Sequence, residues 1–248
     1  MLQLFFSLVI LSAVALAQND RAGRIVGGRN AQLGEVPYQV SLRNWGTTFH
    51  FCGGALISNR WIVTAATCVN GRTRNSINVV AGIVLLSANG ISRRSWDIII
   101  HPSFHHAFID HNLGLIQTSA AFPFNQNISP IFLSSFNNRN IVTAQVSGFG
   151  ATTQQGGFNS DRLMLLSVET TGDLVCDNNH PGINVDANIC TNNADGEGFC
   201  TTDMGGPLVS NTQLIGIASW NVPCAVGFSD VYVRISMYRS WIGSVTGI

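Results

Sequence analysis

Side chains able to do chemistry are sparse in this chain. Charged residues are only 10% of its 248 positions, alongside six cysteines and six histidines. The cysteines stand at 52, 68, 176, 190, 200 and 224, with no Cys-x-x-Cys pair and no close Cys/His cluster. That spacing does not suit zinc, so no metal or other cofactor is expected. An even cysteine count in an oxidising compartment reads instead as disulfides, and spacing alone leaves several pairings open. His111 adjoins Asp110, and a carboxylate beside an imidazole can orient it for proton transfer. The plainer reading, a polar loop facing solvent, is preferred. His50 stands two residues before Cys52. An alternating strand would turn both to one side, which gives His50 a structural or rim role.

The elements that must position these groups are short strands. Runs rich in Val, Ile, Leu and aromatics recur at Tyr38–Leu42, Ile77–Val80, Asp97–Ile100, Gln145–Gly148, Leu165–Val168, Leu214–Ile217 and Val231–Val233. Gly, Asn and Ser separate them, the pattern of an all-β sandwich or barrel. One helix is expected at the C-terminus, capped by Ser236, with Tyr238, Trp241, Ile242 and Val245 on one face. Residues 120–140, rich in Asn, Ser and Pro, read as a connection between two halves. They include a glycosylation sequon at Asn127-Ile128-Ser129, followed directly by Pro130.

Composition narrows the class. Hydrophobic residues are 46% of the chain, ample for a core and unlike a disordered protein. Thirteen basic and 13 acidic side chains cancel, with no dense run of either, which argues against nucleic acid or a membrane surface as partner. Leu4 to Ala17 is nearly all apolar and ends in the small-x-small pattern Ala15-Leu16-Ala17. It has the length of a signal-peptide core and is short for a membrane span, although Met1-Leu2-Gln3 carries no positive charge. Cleavage after Ala17 and secretion are expected.

Several motifs then occur in a fixed order: Arg24-Ile25-Val26-Gly27-Gly28, Cys52-Gly53-Gly54, Thr64-Ala65-Ala66-x-Cys68, Asp203-x-Gly205-Gly206-Pro207, Ser219-Trp220, Asp230-Val231-Tyr232 and Trp241-Ile242. Together they resemble the trypsin/chymotrypsin-like serine proteases, from Arg24 to the end of the chain, and look most like arthropod chymotrypsin-like members. The resemblance implies two packed six-stranded Greek-key β-barrels with a C-terminal α-helix and a cleft between the barrels. It implies the pairings Cys52–Cys68, Cys176–Cys190 and Cys200–Cys224. It divides the chain into a signal peptide (1–17), an activation propeptide (18–24) and a protease-like domain (25–248). Cleavage after Arg24 would free the Ile25 ammonium to pair with Asp203, since a buried charge must find a partner.

The same resemblance places a loss of chemistry. Acyl transfer by a serine protease needs a hydroxyl nucleophile, an imidazole base and an orienting carboxylate. The matching positions hold Met204, Thr67 and Asn112. A thioether has no proton to give, a Thr hydroxyl is no base near neutral pH, and an amide cannot stabilise an imidazolium. Thr202 replaces the Gly whose backbone helps bind the oxyanion, and a β-branched residue disfavours that geometry. In the specificity pocket, Gly198 stands at the base, Ser219, Trp220 and Asn221 form a wall with Asn221 narrowing the mouth, and Asp230 maps near the base. The expected protein is a secreted, monomeric homologue without protease activity. It would bind a protease, inhibitor or receptor in extracellular proteolysis or innate immunity. The alternative is a chymotrypsin-like endopeptidase with a relocated or residual site.

Overall fold

Short β-branched runs broken by Gly and Asn cannot bury themselves alone, and here they close into two barrels. The computed structural model describes residues 25–135, 137, 139–151, 159–222 and 224–248. The expected signal peptide and propeptide, Arg24 included, lie outside the described residues. After β1 (Arg29–Asn30), the first barrel is built from β2 (Gln39–Asn44), β3 (His50–Leu56), β4 (Trp61–Thr64), β5 (Ile77–Ala81), β6 (Ile91–Ile100) and β7 (Gly114–Thr118), with a short helix α1 (Ala66–Val69) after β4. It closes in the order β2-β3-β4-β7-β6-β5.

The linking segment carries β8 (Phe132–Leu133), which adds in parallel to a strand of the second barrel. That barrel comprises β9 (Thr143–Gly148), β10 (Met164–Thr170), β11 (Asn188–Asn192), β12 (Pro207–Ser210), β13 (Gln213–Trp220) and β14 (Val231–Arg234). Its ring runs β9-β10-β11-β14-β13-β12 and returns to β9 through Leu208↔Val146. Both rings therefore have the same order, with the fourth strand beside the first, which is the Greek-key arrangement. Closure leaves few unpaired strand edges. All seven runs expected as strands fall on strands, with Tyr38 one residue ahead of β2.

Val40, Leu42, Ile62, Val79 and Ile116 share one buried face of the first barrel's strands, in a core that runs on to Leu214, Ile217 and the C-terminal segment, while Val146, Met164, Leu166, Leu208 and Tyr232 form a separate cluster in the second. Ile25 is fully buried with the second set. The barrels meet at glycine. Gly53 N–H donates to the Met204 carbonyl at 2.9 Å, and Gly205 (φ 80°) comes so close to Thr64 and Gly53 that a Cβ would collide with both. A Ser147–Gln39 hydrogen bond of 2.6 Å adds a second link.

The C-terminal helix α3 (Ile235–Thr246) forms with Tyr238 and Ile242 buried and Trp241 and Val245 packed on the core. Its cap differs from expectation. The helix begins at Ile235 after Arg234, with no side-chain cap, so Ser236 lies inside its first turn. The Arg234 guanidinium is held instead by Asp173 at 2.9 Å and by the Asn188 and Val185 carbonyls. The helix α2 (Asp173–Asn179) was not expected. It is only seven residues long, too short for a periodic signal, and Cys176 on it is tied to β11. All three disulfides have the expected pairing, Cys52–Cys68, Cys176–Cys190 and Cys200–Cys224.

Candidate functional site

The pairing of β4 with β7, Thr64 opposite Gly114, sets the residues just beyond them face to face. Thr67 on α1 therefore meets Asn112, which is 1% exposed. Asn112 Oδ1 accepts the Thr67 N–H at 2.8 Å, while its Nδ2 donates to Ser219 Oγ at 2.9 Å and reaches Thr67 Oγ1 at 3.3 Å. An amide supplies an acceptor and two donors at once, which suits this set of partners. The resulting cluster of one amide and two hydroxyls is neutral, and none of its groups takes up a proton near neutral pH. Met204 sits half-buried against both barrel cores.

The segment leading into Met204 is held from several sides. Thr202 adopts φ 73°, so the left-handed backbone persists despite its β-branched side chain. That conformation is strained for such a residue and survives only where its surroundings hold it. Here Thr202 Oγ1 donates to Asn159 Oδ1 at 2.8 Å, and the Thr202 carbonyl accepts from His50 Nε2 at 3.2 Å. Asn159 Nδ2 in turn donates to the His50 carbonyl at 2.9 Å. His50 is buried, its Nδ1 lies 2.9 Å from Ser41 Oγ, and burial lowers its pKa to about 4. The expected structural role of His50 is thus specific: a neutral imidazole carried by the first barrel fastens a loop of the second.

Asp203 is wholly enclosed. Its Oδ1 accepts from Gly150 N–H at 2.6 Å and its Oδ2 from Cys200 N–H at 2.9 Å, yet desolvation pushes it up to about 7. Two amide dipoles do not replace the water that a carboxylate loses. The residue next to Arg24 is already folded in: the Ile25 carbonyl accepts Gly28 N–H at 2.8 Å, and Val26 bridges Gly198.

The expected pocket residues also come together. Gly198 (φ 136°) faces Asp230, whose Oδ2 accepts Phe199 N–H at 2.8 Å. Asp230 also takes hydrogen bonds from Asn193 and Asn221, and burial still pushes it up to about 7. The Asn221 Nδ2 donates to the Phe199 carbonyl at 2.6 Å, so one side chain ties the segment after β13 to residues 198–200. Phe199 fills the space behind, 1% exposed, its ring edge-on to Tyr232 at 5.2 Å. Phe199, Asn193 and Asn159 were missed in the sequence because nothing marks an isolated Phe or Asn as pointing into a site.

Beside Trp220 opens a cleft of about 800 Å³, between residues 103–111 and residues 179–184. His180 stands edge-on to Trp220 at 4.8 Å and bonds the Ser229 carbonyl at 3.0 Å. Asp110 and His111 line the cleft, with 3.7 Å between Oδ2 and Nε2. His111 is not a free loop residue. Only 24% of its side chain is exposed, its Nδ1 lies 2.9 Å from the Tyr238 hydroxyl, and it stacks on His101 at 5.3 Å. His101 contacts Tyr238 and Trp241 as well, so both imidazoles are built into the seat of α3. Among the described residues no three His, Cys, Asp or Glu side chains converge as metal ligands. Asn127, the sequon residue, lies half-buried in the turn at Asn125–Ile128.

Comparison with known proteins agrees with this geometry. The family model described as Trypsin matches residues 25–242. Chymotrypsin-2 of Vespa crabro is 35% identical over 219 residues, covering 88% of this chain and 98% of the relative. Trypsin-1 of Astacus astacus is 34% identical, with the same coverage of both chains. Cationic trypsin-3 of Rattus norvegicus is 34% identical over 247 residues, 96% of each chain.

Proposed function

The chain belongs to the trypsin family of serine proteases, and from that premise we propose that it is a secreted member that binds a protein without hydrolysing it. The observation that carries this reading is the Thr67–Asn112–Ser219 network with Met204 beside it. Where the family's mechanism needs a proton acceptor, this network offers only neutral donors and acceptors that already satisfy one another. Losing the catalytic residues of such an enzyme lowers turnover on the order of 10⁶-fold, or about 8 kcal/mol of barrier. The residual acceleration comes mainly from the oxyanion hole and from substrate binding. Thr202 keeps the left-handed backbone of the first, whereas the Asn221–Phe199 tie obstructs part of the second.

Activation is proposed to survive the loss of catalysis. Cleavage after Arg24 gives Ile25 an ammonium, and Asp203 is a buried carboxyl lacking a cationic partner among the described residues. Pairing the two would fix residues 198–206, which include Gly198 beside Asp230 and the Phe199 carbonyl that Asn221 holds. The partner is proposed to be an extracellular protease, inhibitor or receptor, and the chain a monomer carrying a glycan at Asn127. The relocated-site alternative draws on Asp110 and His111, but that imidazole is committed to Tyr238.

The test uses the secreted, cleaved protein with its Ile25 terminus verified. It is treated with a fluorophosphonate probe and a panel of chromogenic peptides. Neither labelling nor turnover is expected; labelling that disappears on heat denaturation would overturn the reading.

A further inference from the structure

The neutral net charge of this chain conceals a division. Residues 25–118 carry seven arginines and three carboxylates, whereas residues 119–248 carry four arginines and nine carboxylates. All 13 basic side chains are arginine. On the first barrel, three of them share one face made by the β2–β3 turn, the segment after α1, and β6. That face is stiffened by backbone bonds from Trp45 N–H to the Ser76 carbonyl at 2.9 Å and from Asn75 N–H to the Ser95 carbonyl at 3.0 Å.

Each of these arginines is gripped by its Nε. Arg72 Nε donates to the Cys68 carbonyl at 2.9 Å, Arg94 Nε to the Asn75 carbonyl at 2.8 Å, and Arg74 Nε to Asp97 at 2.9 Å. Two also lie over aromatic rings, Arg72 at 3.5 Å from the Phe51 centroid and Arg94 at 4.2 Å from Trp45. Arg72 Nη1 also donates to Asn44 Oδ1 at 2.8 Å, which leaves its Nη2 for a ligand, whereas Arg94 is held by Nε and stacking and keeps its terminal N–H groups; both side chains have already lost much of their rotamer freedom. Arg72 and Arg94 have no carboxylate partner among the described residues. Around them Trp45, Phe49 and Trp96 are 49%, 60% and 55% exposed. Exposed aromatic rings between pre-set arginines match the composition of protein-binding surfaces.

We propose that this face, centred on Arg72, Arg94 and Trp45, is a docking surface for an acidic polypeptide segment of a partner protein, whose carboxylates take the remaining arginine N–H groups while apolar side chains cover the rings. Charge complementarity and the interleaved aromatics select a peptide over a sulfated glycan, which offers no apolar side chains to those rings. The proposal holds whether or not the chain hydrolyses peptides.

The probe is a fluorescein-labelled peptide of about a dozen residues alternating Asp and Glu with Phe and Leu, read by anisotropy on the secreted protein. Arg72→Gln, Arg94→Gln and Trp45→Ala should each weaken binding by about tenfold. Arg94→Lys, which keeps the charge and loses the fork, should fall between wild type and Arg94→Gln. Arg162→Gln on the second barrel should change nothing, and melting curves establish that each variant is folded. Raising salt from about 50 to about 300 mM should weaken binding further. Equal affinity for the peptide's Asn/Gln counterpart would overturn the proposal. So would binding of a heparin oligosaccharide but not the peptide, or occupation of the face by a second copy, seen as sedimentation whose concentration dependence Arg94→Gln abolishes.

Discussion

Cleavage after Arg24 should stabilise the domain by an amount set by pH. In the uncleaved chain, burial raises Asp203 from 3.8 to about 7. The folded state then binds more protons than the unfolded state between those values, so stability falls as pH rises through the window. Three pKa units at about 1.4 kcal/mol each give a penalty on the order of 4 kcal/mol, complete above pH 7. A buried Ile25 ammonium would remove it by returning Asp203 to its charged form. The ammonium's own pKa would rise above its unfolded value of about 8. That contribution is present below about pH 8 and is lost as pH climbs through the raised value.

His50 acts oppositely. Its pKa is lowered to about 4 from 6.5, so its contribution is full above 6.5 and is lost as pH falls toward 4. Because His50 is present in both forms, the difference between cleaved and uncleaved protein cancels it. The gap in melting temperature should widen by roughly 8–16 °C between pH 4 and pH 7.5, taking about 2–4 °C per kcal/mol for a domain of this size. The measurement is calorimetry of a chain whose propeptide ends in an enteropeptidase site, before and after cutting. A second readout follows from composition: with 13 arginines and no lysine, the Ile25 α-amine is the cleaved chain's sole primary amine. It should resist an amine-reactive reagent natively and label fully in denaturant. A gap that stays constant from pH 4 to 7.5, or one unchanged by Asp203→Asn, would refute the reasoning.

Two further outcomes concern the cleft. Combining Thr67→His, Asn112→Asp, Met204→Ser and Thr202→Gly should restore measurable peptide hydrolysis and fluorophosphonate labelling, since Ser219 already stands 2.9 Å from the side chain at 112; continued inactivity in a folded, cleaved variant would mean that the substrate path itself is closed. Asn221→Gly removes the tie to the Phe199 carbonyl and exposes Asp230, so p-aminobenzamidine should gain fluorescence with the variant and not with wild type. No gain in the variant would show that Phe199 alone fills the pocket.

Seven of the twelve barrel strands were legible in the chain as short runs rich in β-branched, aliphatic and aromatic residues. The strands at Gly114–Thr118 and Pro207–Ser210 were not, because each is buried on nearly every residue and its period is invisible. The disulfides could be placed through family resemblance and not from spacing. Thr67, Asn112 and Met204 could be singled out through the motifs that carry the resemblance. What those residues now do could not be read there, because it depends on contacts across 45 and 107 positions of sequence, from Asn112 to Thr67 and to Ser219.

Thr202 shows why motif reading fails at such a site. Taken alone, a β-branched residue argues against φ near +73°, and the strain of that conformation is on the order of 1–3 kcal/mol. The loop nonetheless keeps it, because His50 grips the carbonyl and Asn159 the hydroxyl. Neither hydrogen bond touches the positions of nucleophile, base or acid. The loop's conformation is therefore supported independently of the catalytic side chains, so these can be exchanged without releasing it. A scaffold with that property can lose hydrolysis in few steps and still present a fixed surface on both sides of the cleft. The side chain at 112 joins the two barrels in the same independent way: Asn112 accepts the Thr67 N–H and donates to the Ser219 and Thr67 hydroxyls, so that its amide is satisfied by three partners without any imidazole.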